Sequence, residues 1–353
     1  MPMPTGAERA EAWAGALAAH GFDEETEDAD IAGLAAGFSL TVQQIVEAVA
    51  LACAGRGSAG APGAGPAELV AAARAVSGRR LAAFGVELTP RATWAQLILP
   101  EDARAQLAEL CRTVRYHDAV LERGFSERLS GGTGMTALFS GVSGTGKTMA
   151  AEVIAGELGL ALFRIDLAGV VSKWIGETEK NLDRVFQAAA DSNAILFFDE
   201  ADALFGKRSE VKDSHDRYAN LEVSYLLQKM EAYRGVAILA TNMRHQMDDA
   251  FLRRLTFNVI FPLPEEADRA RIWAAAWPAA LPRADDVDFA ALAMLRLVGG
   301  NIKNAILAAA HLAAAADRPV AMADVLHAVR REYQKLGKQL SAEEIAVSVQ
   351  PPG

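Results

Sequence analysis

The sequence is short of several things, and each shortage narrows what the chain can be. Only two cysteines, Cys53 and Cys111, occur in 353 residues. Far apart and at no metal-ligand spacing, they build neither a disulfide framework nor a zinc site, which fits a reducing compartment. The six histidines include no pair at ligand spacing. The apolar run Ile45 to Ala54 is interrupted by Glu47 and is too short to span a bilayer. Met1-Pro2-Met3-Pro4 has neither a basic n-region nor a long apolar h-region, so no signal peptide and no membrane partner is expected, and the expected location is cytoplasmic. Positive charge is scarce as well. Against 45 acidic residues stand 35 Lys and Arg, a formal net charge of −10, which disfavours a sequence-independent grip on nucleic acid. Apolar residues are plentiful instead, at 51% of the chain, enough to build sizeable cores in two or three domains.

Gly141-Val142-Ser143-Gly144-Thr145-Gly146-Lys147-Thr148 fits G-x-x-x-x-G-K-[ST], a loop that cradles nucleotide phosphates. The context suits it. Thr136–Ser140 reads as an apolar strand, and Met149–Leu158 as a helix of good helix formers. Glycines let backbone N–H groups turn inward and approach a phosphate, and the helix N-terminus adds positive partial charge. Lys147 is placed to reach the β- and γ-phosphates, and the Thr148 hydroxyl to ligate Mg²⁺. The cofactors implied are ATP and Mg²⁺.

From 136 to 263, apolar strands alternate with helices: 136–140, 160–167, 194–199, 236–241 and 258–263. Alternation of this kind predicts an α/β fold, a five-stranded parallel sheet flanked by helices, with ligands at the carboxyl ends of its strands. Ile195-Leu196-Phe197-Phe198 closes on Asp199-Glu200. Asp199 is placed to hold Mg²⁺, and Glu200 to activate the attacking water, which must lose a proton as it adds to phosphorus. Thr241-Asn242 ends the next strand, where Asn242 can hydrogen-bond the γ-phosphate or that water. Asp248–Leu255 reads as a short helix carrying Arg253 and Arg254, a residue type suited to charge on a transferring phosphoryl group.

Order and spacing of these motifs resemble AAA-type ATPases of the AAA+ superfamily over residues 93–335. The resemblance implies that Gly141–Thr148 is the Walker A loop, Ile195–Glu200 Walker B, and Thr241-Asn242 sensor 1. It implies that Arg253 and Arg254 are arginine fingers acting on a neighbouring subunit, in a homo-oligomeric ring, commonly a hexamer. Gly299-Gly300-Asn301-Ile302-Lys303-Asn304 resembles the sensor-2 segment of a small helical lid. It has no arginine at the sensing position, so packing against nucleotide, with Gly300 in contact, is what carries over. Ser172-Lys173-Trp174-Ile175-Gly176-Glu177 resembles an aromatic pore loop, which implies a protein substrate gripped by Lys173, Trp174, Ile175 and Gly176. The stretch 206–217 is either a second pore loop or a solvated loop. More narrowly, Gly176–Asn181, Phe205–Asn220 and Thr241-Asn242-Met243-Arg244 are similar to AAA ATPases encoded beside bacterial contractile injection systems.

The chain also echoes itself. Glu8–Trp13, Asp30–Ala35 and Thr41–Val46 return as Asp268–Trp273, Asp288–Ala293 and Val298–Lys303. With the resemblance, residues 1–55 read as the lid of a degenerate upstream AAA module and 56–66 as a Gly/Pro linker. Residues 67–265 read as the nucleotide core with a helical lead-in, and 266–353 as the lid. The expected activity is Mg-ATP hydrolysis coupled to remodelling of a protein. An ATP-driven assembly switch without threading would keep every catalytic motif and remains the alternative. The letters Asp199-Glu200-Ala201-Asp202 also suggest a helicase, but no nucleic-acid surface or second RecA-like core accompanies them.

Overall fold

The computed structural model describes residues 4–20, 28–38, 40–54, 65–79, 81–120, 134–170, 177–190, 192, 194–202, 214–242, 247 and 249–338. At its centre is a six-stranded sheet in the order β1-β3-β4-β5-β2-β6. The strands are β1 (Val86–Leu88), β2 (Met135–Gly141), β3 (Leu162–Asp166), β4 (Ile195–Asp199), β5 (Val236–Thr241) and β6 (Phe257–Phe261). The expected five parallel strands are all present. The sheet departs from expectation at its edge, where β1 adds a sixth strand antiparallel to β3, Glu87 opposite Phe163. Three residues with Val86 57% exposed carry too little alternation to be read from sequence.

The middle strands β2, β4 and β5 are apolar and almost wholly buried because both faces of the sheet are covered. Successive side chains alternate between the two faces. Leu138, Leu196, Phe198 and Leu239 pack with α8 (Glu177–Ala190) and α9 (Ser214–Ala232). Phe139, Phe197 and Ile238 pack with α5 (Glu101–Val120) and α6 (Lys147–Leu158). Short helices α7 (Leu167–Val170) and α10 (Asp249–Leu252) follow β3 and β5. In this arrangement β2, β4 and β5 end at the same rim of the sheet, since they are parallel and in register.

Two four-helix bundles flank this core. The first holds α1 (Gly6–Ala19), α2 (Asp28–Gly37), α3 (Val42–Ala54) and α4 (Pro66–Gly78), around Trp13, Leu34, Ile45, Leu69 and Val76. The last holds α11 (Glu266–Ala276), α12 (Phe289–Ala293), α13 (Gly299–Ala315) and α14 (Met322–Lys335), around Trp273, Leu292, Ile302, Val325 and Val329. Among the described residues, no helix is long and apolar enough to cross a membrane.

Candidate functional site

The end of β2 turns straight into the glycine-rich loop. Gly144 takes φ +82°, a left-handed conformation that disfavours side chains, and a Cβ there would come within 2.9 Å of Val298. The reason for the crowding is the last bundle, whose helix α13 begins against the loop. The Gly300 N–H donates to the Gly144 carbonyl at 3.0 Å. A Cβ on Gly300 would sit 3.2 Å from the Gly144 Cα. Loop, core and last bundle thereby enclose a cavity of about 590 Å³. Lys147, Thr148, Asp199, Glu200 and Asn242, each singled out from sequence, all line it, as do Gly144 and Gly300.

Lys147 is nearly buried, at 9% exposure. Its Nζ donates to the carbonyls of Gly141 (2.6 Å) and Val142 (3.2 Å) and to Asn242 Oδ1 (2.8 Å). Burial pulls its pKa down, and the carboxylates of Asp199 and Asp202 partly restore it. A phosphate would act in the same sense as those carboxylates, favouring the charged amine. Thr148, half-buried in the first turn of α6, and Asp199, half-buried at the end of β4, supply one hydroxyl and one carboxylate. Mg²⁺ is usually held by one or two protein oxygens together with substrate phosphates and water, so this donor pair fits it.

Glu200 is exposed and stands at φ +53°, one of two non-glycine residues with positive φ among those described. Left-handed backbone costs a residue with a Cβ on the order of 1 kcal/mol. Two bonds hold the strain: the Glu200 N–H donates to Asp199 Oδ1 at 3.0 Å, and the Ala201 N–H to the Ala240 carbonyl at 3.0 Å. Strain of this kind collects where a side chain must be aimed. Here it falls on a residue that lines the cavity.

Asp202 is the residue that sequence reasoning missed. It accepts from the Thr241 hydroxyl, from the Asn242 N–H at 3.0 Å and from Asn242 Nδ2 at 3.1 Å. With Nδ2 committed to Asp202, the Asn242 amide has only one orientation, and its Oδ1 faces Lys147. The available signal was the polar pair Thr241-Asn242 at the end of a buried strand, which needs an acceptor nearby.

Arg253 is exposed. Arg254 lies in a two-pronged pair with Glu231, Nε to Oε1 and Nη2 to Oε2, both at 2.8 Å. The hydrogen bond to Glu231 raises its pKa further. Lys173, Trp174, Ile175, Gly176, Met243 and Arg244 lie outside the described residues, as does 206–213 of the second polar stretch.

Parallel strands, a phosphate loop after β2, an acidic pair ending β4 and an asparagine ending β5 define a P-loop nucleotide-binding domain. The family model of AAA, the ATPase family associated with various cellular activities, matches residues 137–263, a little over a third of the chain. The matched stretch is an AAA ATPase domain. An uncharacterized AAA family ATPase, y4kL, of Sinorhizobium fredii is 36% identical over 163 residues, 46% of this chain and 47% of that protein. A 26S proteasome regulatory subunit 10B of Dictyostelium discoideum is 31% identical over 220 residues, 59% of this chain and 56% of that one. A spastin homolog of Caenorhabditis elegans is 35% identical over 141 residues, 38% of this chain and 27% of its own. The chain thus spans about half or less of the length of these curated relatives.

Proposed function

We propose that the protein is a Mg-ATP-hydrolysing motor that assembles into a ring, a hexamer by family precedent, and remodels a protein substrate. The observation that carries this reading is the convergence of Lys147, Thr148, Asp199, Glu200 and Asn242 on one cavity closed by α13. ATP enters with its phosphates on the loop N–H groups and Lys147. Thr148 and Asp199 would hold Mg²⁺, which neutralises phosphate charge when bound. Glu200 accepts a proton from water as the water oxygen bonds to the γ-phosphorus and the bond to the ADP oxygen breaks. Asn242, held by Asp202, orients the water. Arg253 of one subunit reaches the neighbour's γ-phosphate, and Arg254 braces the same segment through Glu231 or joins it. Replacing ATP by ADP then shifts the last bundle against the core and drives Lys173–Gly176 along the substrate.

The printed names of the relatives support remodelling as a class: one is a proteasome regulatory subunit, another a spastin homolog. Work in the cytoplasm beside a contractile injection system rests on the likeness of 176–181, 205–220 and 241–244 alone. Co-purification with sheath or tail components of such a system tests it.

The deciding experiment is ATPase activity against protein concentration for the natural chain, Glu200→Gln and Arg253→Ala. Specific activity should rise steeply with concentration and vanish in both variants. Activity that stays flat and ignores Arg253 would rule out sites shared between subunits. Trp174→Ala separates threading from switching, since a threading motor should lose remodelling and keep its ATPase.

A further inference from the structure

The two bundles give the molecule an internal control. Their fourth helices can be matched from their caps: Gly65 and Ala321 both cap a helix N-terminus, with Pro66 and Met322 first in α4 and α14. Counting on from there, buried Leu69, Ala72 and Ala73 answer to buried Val325, Ala328 and Val329. The next buried position is Val76 in α4, 3% exposed, and Glu332 in α14, also 3% exposed. A valine fills that place in the first bundle, so packing does not call for a carboxylate. Burying one is costly unless it is well bonded.

Glu332 is well bonded, and its bonds lead to the cavity. Its Oε2 accepts from Asn301 Nδ2 at 2.9 Å and its Oε1 from Lys335 Nζ at 2.5 Å. Burial would push this carboxyl up, but the hydrogen bonds from Lys335, Asn301 and Asn304 outweigh it and hold it below its ordinary value. Asn301 directly follows Gly299 and Gly300, the turn that lies on the phosphate loop. Val298, which caps α13, makes no side-chain cap bond. The first bundle handles the same turn differently. There Gln44, the counterpart of Asn301, folds back on Thr41, accepting from its N–H and hydroxyl at 2.9 Å each. Among the described residues, a bond from a buried side chain of the fourth helix to the first turn of the third is found in the last bundle alone; in the first, these helices are joined by the exposed pair Arg79–Glu47.

We infer that Glu332 is a positioning residue for nucleotide: through Asn301 it fixes the turn Gly299–Asn301 against the phosphate loop and so sets the affinity for ATP. This rests on the reading of the cavity as the ATP site. The test is equilibrium binding of ATP and of ADP, and steady-state ATPase, on the full chain. Glu332→Val, which copies Val76, should weaken ATP binding roughly tenfold, as for loss of a charge-assisted hydrogen bond. KM should rise with kcat at saturating ATP within about twofold, the pattern of lost ground-state binding. Glu332→Gln keeps an acceptor for Asn301 and should recover most of the affinity. Asn301→Ala should match Glu332→Val, and the double variant should be no weaker than either single one. If Glu332→Val fails to fold, Asn301→Ala against Asn301→Ala with Glu332→Gln carries the same cycle. ATP binding that is abolished by Lys147→Ala yet indifferent to both Glu332→Val and Asn301→Ala overturns this inference and leaves the site standing. Additive losses, or no recovery in Glu332→Gln, overturn it too. A natural chain that binds no ATP overturns the reading of the cavity and this inference together.

Discussion

The first and last bundles are built to one plan and put to different uses, and the difference separates packing from chemistry. In both, an arginine early in the first helix ties two segments together. Arg9 donates from Nε to the Ala35 carbonyl and from Nη1 to the Pro4 carbonyl, both at 2.8 Å. Arg269 donates from Nε to the Ala293 carbonyl at 2.6 Å and from Nη1 to the Pro264 carbonyl at 2.7 Å. Four residues on, Trp13 and Trp273 are wholly buried. Leu34 pairs with Leu292, Ile45 with Ile302 and Ala48 with Ala305, every one buried. Where the bundles part is the start of the third helix. Val42, Gln43 and exposed Val46 stand where the last bundle has Gly299, Gly300 and Lys303, all three of which line the cavity. We propose on this basis that residues 4–79 are a lid-type unit that includes α4 and no longer reads nucleotide.

That comparison breaks most readily at the tryptophans. Trp13→Ala and Trp273→Ala should each cost about 3–5 kcal/mol, the usual range for emptying a buried aromatic site. Hydrogen exchange should show each loss confined to its own bundle. ATP binding should vanish with Trp273→Ala and survive Trp13→Ala; equal loss in both would mean that the bundles act as one unit. The arginines come next. Arg9→Ala and Arg269→Ala should each destabilise by about 1.5–3 kcal/mol, as for hydrogen bonds from a charged donor. Lysine should rescue neither, because one ammonium does not reproduce the fork that reaches two separate carbonyls. Chemical denaturation of the four variants checks this, and an inert Arg9 would break the parallel. Smaller still, Gly300→Val should weaken ATP binding roughly tenfold, about 1.4 kcal/mol, because its Cβ meets the loop. Gln43→Val, at the matching place, should leave ATP binding unchanged.

Much of the site was legible in the sequence because its chemistry constrains residue type and spacing together. A phosphate loop has to follow a strand and open a helix, and Asp199, Glu200 and Asn242 have to lie at strand ends to reach it. What escaped were partners fixed by three-dimensional accident of the fold. Asp202 bonds Asn242 across 40 residues, and Glu231 bonds Arg254 across 23, with no period to betray either. The strain at Glu200 is a backbone property that leaves no mark on composition. The echo between the bundles was visible over three helices. Its fourth member, α4, was hidden because Leu69, Ala72 and Ala73 give an alanine-rich face that any helix might show, and only packing reveals that it completes the cluster around Trp13.

The mildest expected difference is in acid. Asp324, at the third position of α14 and 7% exposed, accepts from Arg318 Nη1 at 2.6 Å and Nη2 at 2.9 Å and from the Ala321 N–H at 3.0 Å. The Arg318 hydrogen bonds hold its carboxyl below the ordinary aspartate range, with the Ala321 N–H helping. A carboxyl depressed in the folded state contributes stability that is present above its unfolded value and lost as pH falls through the folded one. Its share is therefore whole at neutral pH and fades below about pH 4. The matching position in α4 is the exposed Glu68, whose N–H donates to the Gly65 carbonyl at 3.1 Å; among the described ion pairs it has none with an arginine. The first bundle has the exposed pair Arg79–Glu47, of a kind worth about 0–1 kcal/mol and screened by salt. Site-resolved exchange between pH 6 and pH 3 should thus show the last bundle loosening in part through Asp324, and Asp324→Asn should flatten that dependence while lowering stability at pH 6. In the first bundle, added salt should shrink the effect of Arg79→Ala. A last bundle whose acid response is untouched by Asp324→Asn would show that the pair with Arg318 does not set it.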